Sequence, residues 1–138
     1  MLVILKYLWA LPNTLLGALF MPVALLSGGK ISFIDGVLEV HGRAISWLLR
    51  TVVPLRGGAS ALTLGHVVLG KNEALLARCR DHERVHVRQY EQWGPLFLPA
   101  YLVAGLLAFV RGRNAYLDNF FERRAREETG EEGSGRLQ

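Results

Sequence analysis

The sequence predicts an α+β fold in which a short antiparallel β-hairpin or small sheet is combined with apolar helices. Three observations carry this expectation. Two short strand-like segments flank Asp35-Gly36, a dipeptide that favours tight hairpin turns. Residues 73–93 form a long segment of helical periodicity. Two further runs are almost free of charge: residues 1–27 carry only Lys6, and residues 92–110 carry no Asp, Glu, Lys or Arg.

Each element can be read in order. Residues 2–11 are apolar and helical in character, and Pro12 is expected to end or kink that helix. The apolar run resumes over residues 14–26, so that residues 7–27 are long enough to span a bilayer or nearly so. That run is apolar on all sides rather than on one stripe. Ser27-Gly28-Gly29 breaks it, and strands are expected at 31–34 and 37–41. Residues 44–53 read as a short helix, closed by Pro54 and Gly57-Gly58. Residues 61–69 read as one further strand with a weak point or bulge at Gly65. Gly70-Lys71 turns the chain, and Asn72 is a suitable cap for the helix over 73–93. Gly94-Pro95 ends that helix. A second apolar helix follows over 96–110, with a bend expected at Pro99, and Arg111-Gly112-Arg113 closes it. A last helix is expected over 115–128.

A chain of 138 residues without internal repeats is expected to form one folded unit. Its organisation reads as an apolar N-terminal helical or membrane element over 1–27, a folded domain over 28–128 and a disordered tail over 129–138. The N-terminal run is read as retained, since no clean cleavage site for a secretory leader precedes a polar chain. Composition is 51% hydrophobic with a net charge of +4, and mean hydropathy is +0.23. The densest basic group, Arg78, Arg80, Arg84 and Arg88, is interrupted by acids and lacks interleaved aromatics. No nucleic-acid partner is therefore expected. A basic rim beside apolar segments instead suits a lipid bilayer with anionic headgroups. The lone Cys79 excludes a disulfide framework within the chain.

The chemistry lies in His82-Glu83-Arg84-Val85-His86, which has the H-E-x-x-H spacing of a zinc site. Residues four apart on a helix stand one turn above each other, so two imidazoles there can converge on one ion. Glu83 points to one side of that pair, where it can serve a water at the ion as general base. Leu75, Cys79, His82, His86, Gln89 and Trp93 share one stripe, and Arg80, Asp81, Arg84, Arg88 and Glu91 fall broadly opposite. Inward imidazoles need partners, and one zinc ion satisfies both. A catalytic zinc also needs a third protein ligand. His41, His66, Asp118 and Glu122 are the candidates. Glu122 is the best of them, because Ala125 on the same face lets the last helix approach closely. Asp118 is the second choice, as ligand or as a carboxylate supporting an imidazole.

The stretch His82 to Tyr90 (HERVHVRQY), followed by Asn119 to Ala125 (NFFERRA), resembles the gluzincin superfamily. It is most similar to small, poorly characterised bacterial members with HExxHxxQ and a downstream NxxExxA. The resemblance covers about 45 residues and implies a minimal zincin-like domain. It implies His82, His86 and Glu122 as zinc ligands and Glu83 as general base, and it matches Gln89, Tyr90 and Asn119 to recurrent positions near the site. Arg126 stands where the best-known gluzincins carry an acid. The resemblance also implies that the strand before the metal helix lines the cleft and pairs with an extended substrate.

The function expected is that of a zinc-dependent hydrolase, a membrane-associated peptidase acting on a peptide or protein substrate. The oxyanion is expected to be met by His66, Tyr90 or Tyr116. The competing expectation is a catalytically inactive, zinc-stabilised membrane accessory or interaction protein. One topological constraint follows: residues 94–110 cannot cross a bilayer completely if His86 and Glu122 share an ion.

Overall fold

Two β-hairpins, side by side, make the sheet of this chain, whose computed structural model describes residues 1–53 and 58–131. In the first hairpin β1 (Lys30–Ile34) pairs antiparallel with β2 (Val37–His41), with Ile34 opposite Val37. Asp35 and Gly36 take φ of 51° and 80°, the left-handed pair that a two-residue turn of this hand requires. Residues 61–69 do not form the single strand expected of them. They divide into β3 (Ala61–Leu64) and β4 (Val67–Gly70), paired antiparallel. Gly65, at φ 64°, turns the chain between them. The run is mostly apolar on either side of Gly65-His66 and carries no clear alternation to reveal that reversal.

β2 and β4 pair in parallel, Leu38 opposite Val67, which gives the order β1-β2-β4-β3 and leaves β1 and β3 as edges. The link from β2 passes through α3 (Arg43–Thr51). Pro54 and Gly57, expected to close α3, lie outside the described residues.

Alternation along the strands divides the core. Val40, Leu64, Val67 and Leu69 pack against Ala24 of α2 (Met21–Leu26) and Ile45 and Leu49 of α3. On the other face Val37 and Val68 meet Leu76 and Val87 of α4 (Glu73–Trp93). Asn72 caps α4, its Oδ1 accepting from the Leu75 N–H at 2.8 Å. α4 is buried on more than one side. Glu39, 4% exposed, accepts from Arg80 at 2.9 and 3.0 Å and from Arg84 at 3.1 Å. Two arginines expected on an outer face are thus drawn to a buried acid on β2.

Pro12 does not end the first helix, and α1 runs Leu2–Ala18 straight through it. Tertiary anchors on both sides of the proline hold it. The buried stripe Ala10, Asn13 and Gly17 faces the protein. Asn13 donates to the Gly94 carbonyl at 2.9 Å, and Trp9 Nε1 donates to the Gln92 carbonyl at 3.3 Å. The His66 N–H donates to Thr14 Oγ1 at 3.0 Å.

After α4 a short 3₁₀ turn, Gly94–Leu96, leads into α5 (Phe97–Val110). The bend lies in this turn rather than at Pro99, which occupies the first turn of α5, where a missing N–H costs nothing. α6 is Phe120–Thr129, shorter than expected. Residues 114–118 form a turn instead: Asn114 Oδ1 accepts from the N–H groups of Tyr116 and Leu117, and Asp118 Oδ2 from that of Asn114, at 2.8–2.9 Å. The segment after α5 runs back along it. Asn119 Nδ2 donates to the Tyr101 carbonyl at 3.0 Å, and a side chain added at Gly105 would stand 3.1 Å from the Ala115 carbonyl oxygen. The chain therefore returns to the level of α4, as a site shared by His86 and Glu122 demands. The described residues end at Glu131, so the expected tail from 132 onward lies outside them.

Two helical stretches, Leu2–Leu26 and Glu73–Val110, are long and apolar enough to cross a membrane by length and composition. Their most apolar windows are only 22% and 17% buried, unlike core helices of a packed domain.

Candidate metal centre

Two elements build the site. α4 carries His82 and His86 one turn apart, both 6% exposed. α6 brings in Glu122, 3% exposed, where buried Ala125 allows the helices to meet closely. Glu122 Oε2 lies 3.0 Å from His82 Nε2 and 3.2 Å from His86 Nε2, and the two Nε2 atoms are 3.3 Å apart. Tetrahedral zinc with bonds of about 2.0–2.1 Å holds its ligand atoms about 3.3–3.4 Å apart. Each edge of the triangle falls at or just inside that spacing. The donor set of two imidazoles and a carboxylate also suits zinc. Among the described residues, His82, His86 and Glu122 form the one group of ligating side chains close enough to hold an ion.

The remaining polar atoms of all three residues are held in turn. His86 Nδ1 meets Gln89 Oε1 at 2.8 Å, and Gln89 Nε2 donates to the Phe121 carbonyl at 3.2 Å. His82 Nδ1 meets Glu131 Oε2 at 3.2 Å. Tyr101 donates its hydroxyl proton to Glu122 Oε1 at 2.7 Å. Acceptors at both Nδ1 atoms favour a proton there, the tautomer that would leave each Nε2 lone pair for an ion held with Glu122 Oε2. Asn119, fully buried, caps α6 by accepting from the Phe121 N–H at 2.9 Å while its amide holds the Tyr101 carbonyl. It fixes the start of α6 and hence the position of Glu122.

Without an ion, the triangle is a charged pair. Burial acts to lower the His86 pKa, but Glu122, Glu83 and Gln89 outweigh it and carry it up to about 9. His82 is also raised, burial being overcome by its hydrogen bond to Glu122 and the charge of Glu83. Burial acts to raise the Glu122 pKa, and the two imidazoles and Tyr101 hold it well below the usual carboxylate range.

Glu83 stands beside this triangle, 5% exposed, its Oε2 accepting the Thr63 hydroxyl proton at 2.7 Å. Glu83, His86 and Glu122 together line a cavity of about 530 Å³ between β3, α5 and residues 114–116. Position in the β3–β4 register decides which backbone groups of β3 face it. The Lys71 N–H donates to the Ser60 carbonyl at 3.1 Å, so alternation directs Ser60, Leu62 and Leu64 toward β4 and leaves Ala61 and Thr63 facing the open edge. The Thr63 carbonyl is taken by the Tyr90 hydroxyl at 2.9 Å.

The other expected positions separate. Tyr90 lines the cavity, but its hydroxyl is spent on Thr63 and is not aimed at an oxyanion. His66 lies in the β3–β4 turn, where Nε2 meets Glu91 at 3.0 Å and the ring stacks on Tyr7 at 4.0 Å. It is not among the residues lining the cavity. Tyr116 does line it. Asp118 serves the 114–118 turn and not the triangle, and His41 lies at the far end of β2. Thr63, Tyr101 and Glu131 were not anticipated. Only Thr63 had a visible signal, its place in a strand expected to line a cleft.

Comparison with protein-family models, curated proteins and solved structures yields no match to this chain.

Proposed function

We propose that this chain is a zinc-dependent, membrane-associated peptidase of gluzincin type. The observation that supports this most is the Nε2–Nε2–Oε2 triangle at zinc-ligand spacing, with a second carboxylate, Glu83, beside it in a cavity. His82, His86 and Glu122 would hold the ion. Zinc at such a site supplies Lewis acidity, lowering the pKa of a water and polarising a carbonyl.

The protein's own groups do the rest. Glu83 accepts a proton from the attacking water and delivers it to the leaving amine. Thr63 keeps that carboxylate aimed into the cavity. The open edge of β3 offers the Ala61 backbone groups and the Thr63 N–H to an extended peptide, as a strand added to the sheet, the Thr63 carbonyl being taken by Tyr90. Gln89 and Glu131 keep the imidazoles in the ligating tautomer, and Tyr101 leaves Oε2 as the free oxygen of Glu122. Tyr116, on the wall of the cavity, is the candidate for meeting the oxyanion. Arg111 and Arg113, exposed at the end of α5, match lipid headgroups beside its bare apolar sides.

Metal analysis and peptide-library cleavage on purified wild type beside Glu83→Gln test this function. About one zinc per chain is expected in both, with turnover in the wild type alone. Equal cleavage by both proteins removes Glu83 from the mechanism. Zinc in both with no cleavage by either assigns the chain a structural, accessory role.

A further inference from the structure

The α5 wall of the cavity has a property that its β3 wall lacks. Leu102, Leu106 and Phe109 line the cavity, yet they are 68%, 61% and 67% exposed. Their spacing places them on one stripe of the helix. The neighbouring stripe, Val103, Leu107 and Val110, is also exposed, at 55%, 49% and 73%. The mouth of the cavity and the bare apolar surface of α5 are therefore continuous. Whatever medium covers α5 also bounds the entrance.

The charges within the cavity are equally selective. Its ionisable lining residues include Glu83, His86 and Glu122, and no lysine or arginine appears among the described residues that line it. Among the described residues, the lining offers no lysine or arginine to a peptide's C-terminal carboxylate or to a phospholipid phosphate. A free N-terminus has no dedicated anchor either: Glu122 is held by Tyr101 and the imidazoles, and Glu83, bonded to Thr63 through Oε2 alone, is the carboxylate assigned to the water. What the cavity does offer is apolar wall and an open strand edge. Those suit the interior of an extended, apolar chain.

Building on the zinc-peptidase function, we propose that the centre is an endopeptidase for apolar polypeptide segments, which reach it laterally from a lipid bilayer between α5 and β3. Lipid and cavity are both apolar, so an apolar side chain passes between them with little change in free energy. A polar side chain brought into the cavity without a partner is rejected by about tenfold or more.

The test uses the full chain, zinc-loaded, in phosphatidylcholine–phosphatidylglycerol vesicles. One probe is a leucine- and alanine-rich membrane peptide with two internal glycines and both termini blocked. The second is its counterpart with serines replacing alternate leucines. Products are identified by mass spectrometry in wild type, Glu83→Gln and Leu106→Glu. Internal cleavage of the blocked apolar peptide is expected, about tenfold or more faster than that of the polar one. Leu106→Glu, at an exposed position, is expected to lose a similar factor while its zinc content stays at the wild-type level. Equal rates on the two peptides, a need for a free terminus, or an unaffected Leu106→Glu overturns this specificity while leaving a peptidase. If neither peptide is cut faster by wild type than by Glu83→Gln, while a soluble peptide library is, the membrane route is wrong. If nothing is cut, the peptidase function itself fails and this specificity with it.

Discussion

Replacing Thr63 by valine removes one hydrogen-bond donor and almost nothing else. The two side chains have the same shape, so no cavity opens. The donor lost is the one 2.7 Å from Glu83 Oε2, and both residues are buried, at 4% and 5% exposure. A hydrogen bond to a charged group contributes about 1.5–3 kcal/mol, and a buried acceptor deprived of its donor costs the upper part of that range. Thr63→Val should therefore lower unfolding free energy by about 2–3 kcal/mol. Urea titration in detergent micelles, followed by far-UV circular dichroism, measures this. Thr63→Ser keeps the hydroxyl and should lose only about 1 kcal/mol, for the methyl group. Zinc content should be unchanged in both, because Thr63 bonds to none of the three ligands. Turnover should fall about tenfold or more in the valine variant, since a general base freed by even an ångström loses much of its effect. A valine variant within about 0.5 kcal/mol of wild type, with full turnover, would refute the role given to this contact.

Other expectations can be checked in parallel. Against the effect of burial, Glu122 and Glu83 push the His86 pKa of the metal-free protein up to about 9, so a ligating Nε2 must give up a proton below that pH. Apparent zinc affinity should then rise by about tenfold per pH unit from 7 to 9, with calorimetry in buffers of different ionisation enthalpy counting the protons released; a flat profile contradicts the His86–Glu122 pair. The stability of the metal-free protein should run the opposite way. The His86 contribution is complete below its unfolded value of 6.5 and is lost as pH rises through about 9, while that of Glu122 is present above 4.5 and is lost in acid. Asn119→Ala removes the cap of α6 and the added bond to the Tyr101 carbonyl, which together should cost about 1–3 kcal/mol and weaken zinc binding. Gly94→Ala meets a φ of 57° and the Trp9 indole at the added carbon, with a loss of about 2–5 kcal/mol expected in a denaturation curve.

The parts legible in the sequence were those decided locally. The extent of α4 is written in its Asn72 cap, its periodicity and the Gly94 that ends it. The first hairpin is written in Asp35-Gly36. His82 and His86 follow from helical spacing, and Glu122 from the small residue one turn beyond it. What escaped depends on distant partners. Pro12 sits in a continuous helix because Asn13 and Thr14 are tied to residues far along the chain. Arg80 and Arg84 turn inward because Glu39 on β2 lies beneath them. The second hairpin hides in a mostly apolar run whose turn is marked only by Gly65-His66. Tyr101 and Glu131 reach the centre through the return of the chain after α5, a tertiary event that leaves no periodic trace.

The bonds from Trp9 and Asn13 to the end of α4 make the N-terminal helix a brace for the cleft. The angle at which α4 gives way to α5 fixes the width of the opening between α5 and β3. An unrelated hydrophobic anchor spliced onto residue 27 would keep the chain at a surface, yet it would leave that joint free to splay. On the proposed function, retention at a membrane and the geometry of the cleft would rest on one stretch of sequence, and a change made for the first would reach the second.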